Sequence, residues 1–278
     1  MSRLADIAPE RPLVLVGGGR MGSALLGGWI GAGVAPQAVI VVEPDPAAAA
    51  SLKSSWPELY VTGDLDQVGS AAGTVVLAVK PQIMDRVLPK LDRFKDALFL
   101  SIAAGKGLTY FADALGADAA IVRAMPNTPA SIGLGVSVCI ANGRVSEDQK
   151  ALCSRLLEAV GTVEWVGDEA LMDAVTAVSG SGPAYIFYLA ECLAHAGAEA
   201  DLPQDLAARI ARQTVIGAAA LLRESEDRPA ALRQAVTSPG GTTEAALQVL
   251  TASDGLPDLM KRAVDAAIAR SRALAKGE

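Results

Sequence analysis

The chain has 278 residues, a formal net charge of -7 and 51% hydrophobic residues, enough apolar material for a sizeable core in one large domain or in two. A pI near 4.9 and 4% aromatic residues supply neither a cationic field for phosphate backbones nor rings for stacking bases, so nucleic acid is not an expected partner. No apolar run reaches the roughly 18–20 residues that span a bilayer, and the single histidine, His195, leaves zinc sites of several imidazoles and Ser-His-Asp chemistry without their parts.

Asp6, Glu10 and Arg11 precede an apolar run that Gly17 ends at once, which reads as a first strand and not as a signal peptide. Cys139, Cys153 and Cys192 are odd in number, widely spaced and set among apolar residues. That pattern argues for reduced core thiols, no metal site and a cytoplasmic location. Short β-rich runs at 13–16, 39–43, 74–78, 97–102 and 120–125 alternate with helical patterns beginning near Met21, Pro46, Pro81 and Leu108. The alternation predicts an α/β fold, a doubly wound parallel sheet with right-handed crossovers. Runs at 135–141 and 162–166 add late strands, and 146–160 a helix with Ser146 as its N-cap.

After Asp168 the pattern turns helical: 170–178, 183–200, 204–223, 242–250 and 256–274. The border near Gly167 gives a dinucleotide-binding domain over 1–166 and an all-α domain over 167–278. These helices carry Ala and Leu around much of their circumference, more apolar surface than roughly 110 residues can hide alone, so a second subunit is expected to cover it. No flexible linker is visible, and the two domains are expected to pack closely.

The segment Leu13-Val-Leu-Val-Gly17-Gly18-Gly19-Arg20-Met21-Gly22 sets G-x-G-x-x-G between a strand and a helix, the context a dinucleotide fingerprint requires. Gly17 permits the tight turn, Gly19 lets the backbone approach a pyrophosphate, and Gly22 allows close helix packing, with helix N–H groups facing the anion. Glu43 ends the second strand 21 residues after Gly22, where a carboxylate can accept from the ribose hydroxyls of NADH and repel the 2′-phosphate of NADPH. Asp45 could take the same part, or Glu43 could be an ordinary strand-end acid. Ala78-Val79-Lys80-Pro81 leaves the strand at 74–78, so Lys80 lies at the carboxyl edge of the sheet as a contact for cofactor or substrate, or as a plain surface lysine. Arg123-Ala-Met-Pro-Asn127-Thr128-Pro-Ala displays Asn127 on a loop stiffened by two prolines.

Ser179-Gly180-Ser181-Gly182-Pro183 joins two helices. Its small residues allow either a ligand ring to approach the backbone or close helix packing. Val236-Thr-Ser238-Pro-Gly240-Gly241-Thr242-Thr243-Glu244 is a hydroxyl-rich glycine turn opening a helix. Unpaired N–H groups there suit a substrate carboxylate, and the plainer alternative is N-capping by a threonine.

Taken together, Gly17 to Gly22, Val79-Lys-Pro-Gln82, Ser101-Ile-Ala-Ala-Gly105, the segment from Arg123, Ala177 to Tyr185, Gln213-Thr-Val-Ile-Gly217 and Thr237 to Thr243 occur in an order that resembles the pyrroline-5-carboxylate reductases. The resemblance runs from about Leu13 to Leu274, and the last segment is the most specific. It implies a Rossmann domain, a helical dimerisation domain and an active site between them completed across the dimer. It also implies NADPH or NADH as cofactor, and a homodimer or a higher homo-oligomer such as a decamer. Carried over by position, Gly17, Gly19, Arg20, Met21 and Gly22 would hold the pyrophosphate, and Ala78, Val79, Lys80, Pro81 and Asn127 would line the rest of the cofactor site. Ser179, Gly180, Ser181, Gly182 and Pro183 would face the substrate. Ser238, Gly240, Gly241 and Thr242 would hold its carboxylate, and Thr243 would meet the ring nitrogen. Glu43 departs from the neutral or basic residue of many members, and favours NADH.

Two rival functions stand beside this one. A β-hydroxyacid dehydrogenase shares the fingerprint but places a lysine soon after a glycine-rich turn, whereas here no lysine follows Gly182 until Lys261. A dinucleotide-sensing regulator or scaffold would keep the fold without catalysis, and the hydroxyl-rich turn at 238–243 argues against it.

Overall fold

The computed structural model describes residue 4 and residues 7–275; Asp6 and the extreme ends of both expected domains lie outside the described residues. Strand β1 (Leu13–Val16) reads LVLV with all four side chains buried, the mark of a strand covered on both faces. It pairs in parallel with β2 (Val39–Val42) and with β4 (Thr74–Leu77). With β3 (Tyr60–Thr62), β5 (Leu98–Ser101), β6 (Ala120–Met125), β7 (Gly135–Ala141) and β8 (Gly161–Trp165) it forms one sheet in the order β3-β2-β1-β4-β5-β6-β7-β8. The chain therefore reverses direction across the sheet between β1 and β4, where ligands of such folds bind.

Every pairing is parallel except β6 with β7. Only residues 126–134 join those two strands, as a 3-10 turn at Thr128–Ile132, too short a link for the helical crossover that a parallel pair needs. Side chains alternate between two cores. Leu13 and Leu15 pack with Trp29, Val41, Leu100 and Leu156, while Val14 and Val16 pack on the other face with Leu77, Phe99 and Phe111. This period of two lets a single four-residue strand feed both cores.

Helix α1 (Arg20–Gly31) lies on the first face and is tied to α5 (Glu147–Glu158) by Trp29 Nε1 donating to the Leu156 carbonyl at 2.8 Å. The N-cap expected at Ser146 is present as a full capping box with Gln149, which satisfies two orphan groups at once. Helix α2 (Pro46–Ser55) starts on Asp45, whose Oδ1 accepts from the Ala47 and Ala48 N–H groups. Where the sequence reads as a helix from Pro81, the chain makes a 3-10 turn at Pro81–Ile83, a single α turn, α3 (Met84–Val87), and a second 3-10 segment at Leu88–Phe94. Pro89 lacks the N–H that would continue the α ladder. Helix α4 (Leu108–Leu115) begins where expected.

After β8 the regular elements among the described residues are all helical: α6 (Met172–Val175) running into a π-helical turn at Thr176–Gly180, then α7 (Gly182–Glu199), α8 (Gln204–Glu224), α9 (Pro229–Ala235), α10 (Thr242–Leu250) and α11 (Leu256–Ala275). Strand β3 and helix α9 have no counterpart among the expected elements. Both are short, three and seven residues.

Contacts divide the chain into two compact units, Met1–Gly180 with Ile268–Glu278, and Ser181–Ala267. The border near Gly167 rests on another criterion, the end of the strands, and the last strand stops at Trp165. In the first unit the end of α11 is fastened by Ser271 Oγ donating to Asp173 Oδ1 at 2.7 Å and by an ion pair of Arg272 with the same carboxylate. In the second, α7 and α8 pack on small residues. A Cβ on Gly197 would lie 3.3 Å from that of Ala207, and Ala207 and Ala211 are the unit's two buried residues. Phe187 and Tyr188 of α7 are 64% and 67% exposed, so this unit lacks a core of its own size.

Candidate active site

Parallel register sets the ends of β1, β2, β4 and β5 level with one another. Val16 pairs with Val42 and Leu77, Leu77 with Ser101, and Ser101 with Arg123. Gly17, Glu43, Ala78 and Ile102 therefore leave the sheet at one edge, and Met125 and Asn127 follow from the longer β6. Most of the residues expected at a cofactor sit here.

Gly17 has φ +104°, and a Cβ there would lie 2.8 Å from the Ala78 carbonyl oxygen, so glycine is required for both the conformation and the close approach. A Cβ on Gly22 would run into the Gly17 carbonyl oxygen, whereas Gly19 has open space where its Cβ would be. The glycines thus differ in function: two permit the turn to pack, and one leaves its outer side clear. Gly19 is the N-cap of α1 and no side chain caps the helix, which leaves N–H groups of the first turn, at Arg20 and Met21, for an anion. This cradle fits a dinucleotide pyrophosphate.

Glu43 is half-buried beside the turn, and its Oε2 accepts from the Gly18 N–H at 2.8 Å while Oε1 accepts from the Asp45 N–H at 2.9 Å. Asp45 is occupied as the cap of α2. Glu43 thus lies against the glycine turn, whereas Asp45 turns to its own helix. Lys80 is exposed and its ammonium forms no hydrogen bond or ion pair among the described residues, and Val79 packs near Gly17. Pro81 opens the 3-10 turn that follows.

The loop after β5 is held from two sides. Glu169 Oε1 accepts from the Leu108 N–H at 2.8 Å, capping α4, and from buried Arg123 at 2.9 Å. Tyr110 donates to Asp85 and lies under the Lys106 ammonium. Burial and the Asp85 carboxylate push the Tyr110 phenol well above its usual range, keeping it protonated. Asn127 Nδ2 donates to the Ser179 carbonyl at 3.2 Å, and its Oδ1 accepts from the Val136 N–H at 3.0 Å. Gly180 faces Met125, whose Cε would stand 2.6 Å from an added Cβ. Glu169, Gly18 and Met125 escape a reading of the sequence, because each acts through a partner distant in the chain.

The other expected residues belong to the second unit. Ser181, Gly182 and Pro183 form the start of α7, with Ser181 as N-cap and no side-chain cap bond. Ser238, Gly240, Gly241, Thr242 and Thr243 form the turn into α10. Gly240 has φ +69°, and the Gly241 N–H donates to the Ser238 carbonyl at 2.9 Å. Threonine capping is not what starts this helix. Its N-cap is Gly241, without a side-chain cap bond, and Glu244 reaches back to accept from the Gly240 N–H at 2.7 Å. The hydroxyls of Ser238, Thr242 and Thr243 are exposed and have no hydrogen-bond partner among the described residues. An uncapped helix start with three uncommitted hydroxyls can receive a carboxylate and a neighbouring N–H group.

Residues 169–274 match a family model described as pyrroline-5-carboxylate reductase dimerisation, and residues 12–105 one described as NADP oxidoreductase coenzyme F420-dependent. A pyrroline-5-carboxylate reductase of Synechocystis is 42% identical, the alignment covering 95% of this chain and 98% of the relative. A solved pyrroline-5-carboxylate reductase from Coxiella burnetii superposes with a TM-score of 0.89 at 37% identity, over 95% of this chain and 98% of that one. One from Plasmodium falciparum, solved with NADP bound, gives a TM-score of 0.80 at 27% identity, over 96% and 99% of the two chains.

Proposed function

This chain belongs to the pyrroline-5-carboxylate reductase family, and we infer that it reduces 1-pyrroline-5-carboxylate to L-proline with a reduced nicotinamide dinucleotide. When bound, that cofactor supplies the hydride for the imine carbon. The chain itself has to hold both partners, orient them, and manage one proton.

At the carboxyl edge of the sheet, Gly17, Gly19 and Gly22 shape the turn, and the N–H groups at Arg20 and Met21 hold the pyrophosphate. Ala78, Val79, Lys80 and Pro81 line the nicotinamide end. We assign Ser179, Gly180, Ser181, Gly182 and Pro183 to the substrate side. At α10 the carboxylate is received by the helix start and the hydroxyls of Ser238 and Thr242, with Gly240 and Gly241 giving backbone access. Thr243 is the catalytic residue in this reading: its hydroxyl accepts from the protonated imine N–H and so positions the electrophilic carbon. A protonated imine needs no histidine base, since its proton comes from solvent before transfer or from water through that hydroxyl. The observation that supports the assignment is the Thr243 hydroxyl, exposed on an uncapped helix start and committed to no bond within the described chain.

Glu43 carries the choice of cofactor. A carboxylate set against the glycine turn repels a 2′-phosphate and can accept from free ribose hydroxyls, so NADH is used at least as well as NADPH. The working unit is a homodimer joined through the helices of the second unit, with a decamer of five such dimers as the larger assembly to look for. No helix among the described residues is long and apolar enough to cross a membrane. We place the protein in the cytoplasm, with a small-molecule substrate and with neither nucleic acid nor membrane as partner. Steady-state turnover of pyrroline-5-carboxylate with each reduced dinucleotide tests the reading. Cofactor binding without imine-dependent oxidation would instead indicate a sensor.

A further inference from the structure

We propose that Asn127 is a positioning residue of the reduction, whose carboxamide holds the π-helical turn at Thr176–Gly180 in place for the substrate. The proposal rests on the reductase reading above and deepens it. Both ends of the Asn127 side chain are committed within the fold, Nδ2 to the Ser179 carbonyl and Oδ1 to the Val136 N–H. Because one partner can only accept and the other only donate, the orientation of the amide is fixed. Asn127 therefore acts on the site through the turn it holds, and its part in cofactor binding is indirect.

The turn itself is unusual in three ways. It is π-helical over Thr176–Gly180, a geometry that is rare and concentrates at functional sites. It is sterically keyed: a Cβ on Gly180 would stand 2.6 Å from Met125 Cε. It also buries the Ser179 Oγ with no hydrogen-bond partner among the described residues, a cost that a purely structural turn has no reason to keep. A widened helical turn frees a carbonyl from the regular ladder, and the Asn127 amide takes up the one at Ser179. The same strand end thus sets Met125 and Asn127 against consecutive residues of the turn, and the chain passes from it directly into Ser181, Gly182 and Pro183.

A second asparagine provides an internal control. Asn142 performs similar backbone bonding at the other end of β6, with Nδ2 donating to the Ala119 carbonyl and Oδ1 accepting from the Ile121 and Arg144 N–H groups. Asn127→Asp and Asn142→Asp each keep the acceptor oxygen and replace the donor by an oxygen, so both lower stability. Only Asn127→Asp is expected to lower kcat/KM for the imine, by about tenfold or more, while the NADH dissociation constant of the purified oligomer stays within about twofold of wild type. Asn142→Asp should keep wild-type kcat/KM per folded molecule. Should Asn127→Asp not fold, Gly180→Ala displaces the turn with Asn127 intact and is expected to give the same split between imine turnover and NADH affinity. The proposal is overturned if Asn127→Asp behaves as Asn142→Asp does, if its main defect lies in NADH binding, or if Gly180→Ala retains full turnover. Absence of imine-dependent turnover in the wild type would overturn the reductase reading instead.

Discussion

Replacing Glu43 probes the cofactor assignment at one atom pair, and the structure says which substitution is informative. Two effects overlap at this carboxylate. As a charge, it opposes a 2′-phosphate: like charges about 4 Å apart interact by about 1 kcal/mol in water and about 4 kcal/mol at an effective dielectric near 20. Glu43 is half-buried, so we take about 1–3 kcal/mol, roughly fivefold to 150-fold in relative kcat/KM. As an anchor, it accepts from the Gly18 and Asp45 N–H groups at 2.8 and 2.9 Å, and losing such a bond to a charged group costs about 1.5–3 kcal/mol, less where water replaces it. Glu43→Ser removes both effects and should weaken both cofactors. Glu43→Gln keeps one acceptor oxygen and removes the charge. Anchor loss acts on NADH and NADPH alike and cancels in the ratio of their kcat/KM values, whereas charge loss does not. The assay is steady-state oxidation of each dinucleotide with pyrroline-5-carboxylate. We expect wild type to use NADH at least as well as NADPH, and both variants to shift the ratio toward NADPH by the stated range, with larger losses for both cofactors in Glu43→Ser. A wild type that strongly prefers NADPH, or a Glu43→Gln ratio equal to wild type, refutes the charge argument.

Thr243→Val removes a hydroxyl that caps nothing, so melting should move by no more than a surface substitution does, about 0.5 kcal/mol. Its kcat/KM for the imine should nonetheless fall about tenfold or more at unchanged NADH affinity, as measured by steady-state kinetics and titration. Phe187→Asp, on the exposed face of α7, should weaken or abolish dimers in sedimentation, and an active wild-type monomer at assay concentration would contradict the assembly. Burial pushes the Cys139 thiol up to about 12 and raises that of Cys153 as well, so both should resist alkylation at neutral pH until the protein unfolds, as read by mass spectrometry. Because these folded-state values lie above the unfolded one of 9.0, the stability they contribute is whole below pH 9 and lost as pH rises through about 12.

Local features were legible in the sequence. The glycine turn, the Ser146 cap and the run of strands each depend on residues within a few positions of one another. Strands β1, β6 and β7 begin and end where their apolar runs do. What escaped depends on partners far apart in the chain. Gly18 counts as an unspecified position in the fingerprint, yet it binds Glu43 across 25 residues. Asn127 reads as a displayed polar side chain, yet it reaches the Ser179 carbonyl across 52 residues. The threonines of the 242–243 pair suit capping by composition, but Glu244 makes the back-bond and leaves them free. Strand β3 is too short for its pattern to register, and the antiparallel β6–β7 pair depends on a link length more than on the strands themselves.

Transfer of label from the cofactor to the product tests the central claim most directly. Incubating the protein with pyrroline-5-carboxylate and NADH deuterated at the transferable position of nicotinamide C4, followed by mass spectrometry, should give L-proline with one deuterium on carbon 5 for each NADH oxidised. Cofactor bound without oxidation, or proline formed without the label, would contradict the account.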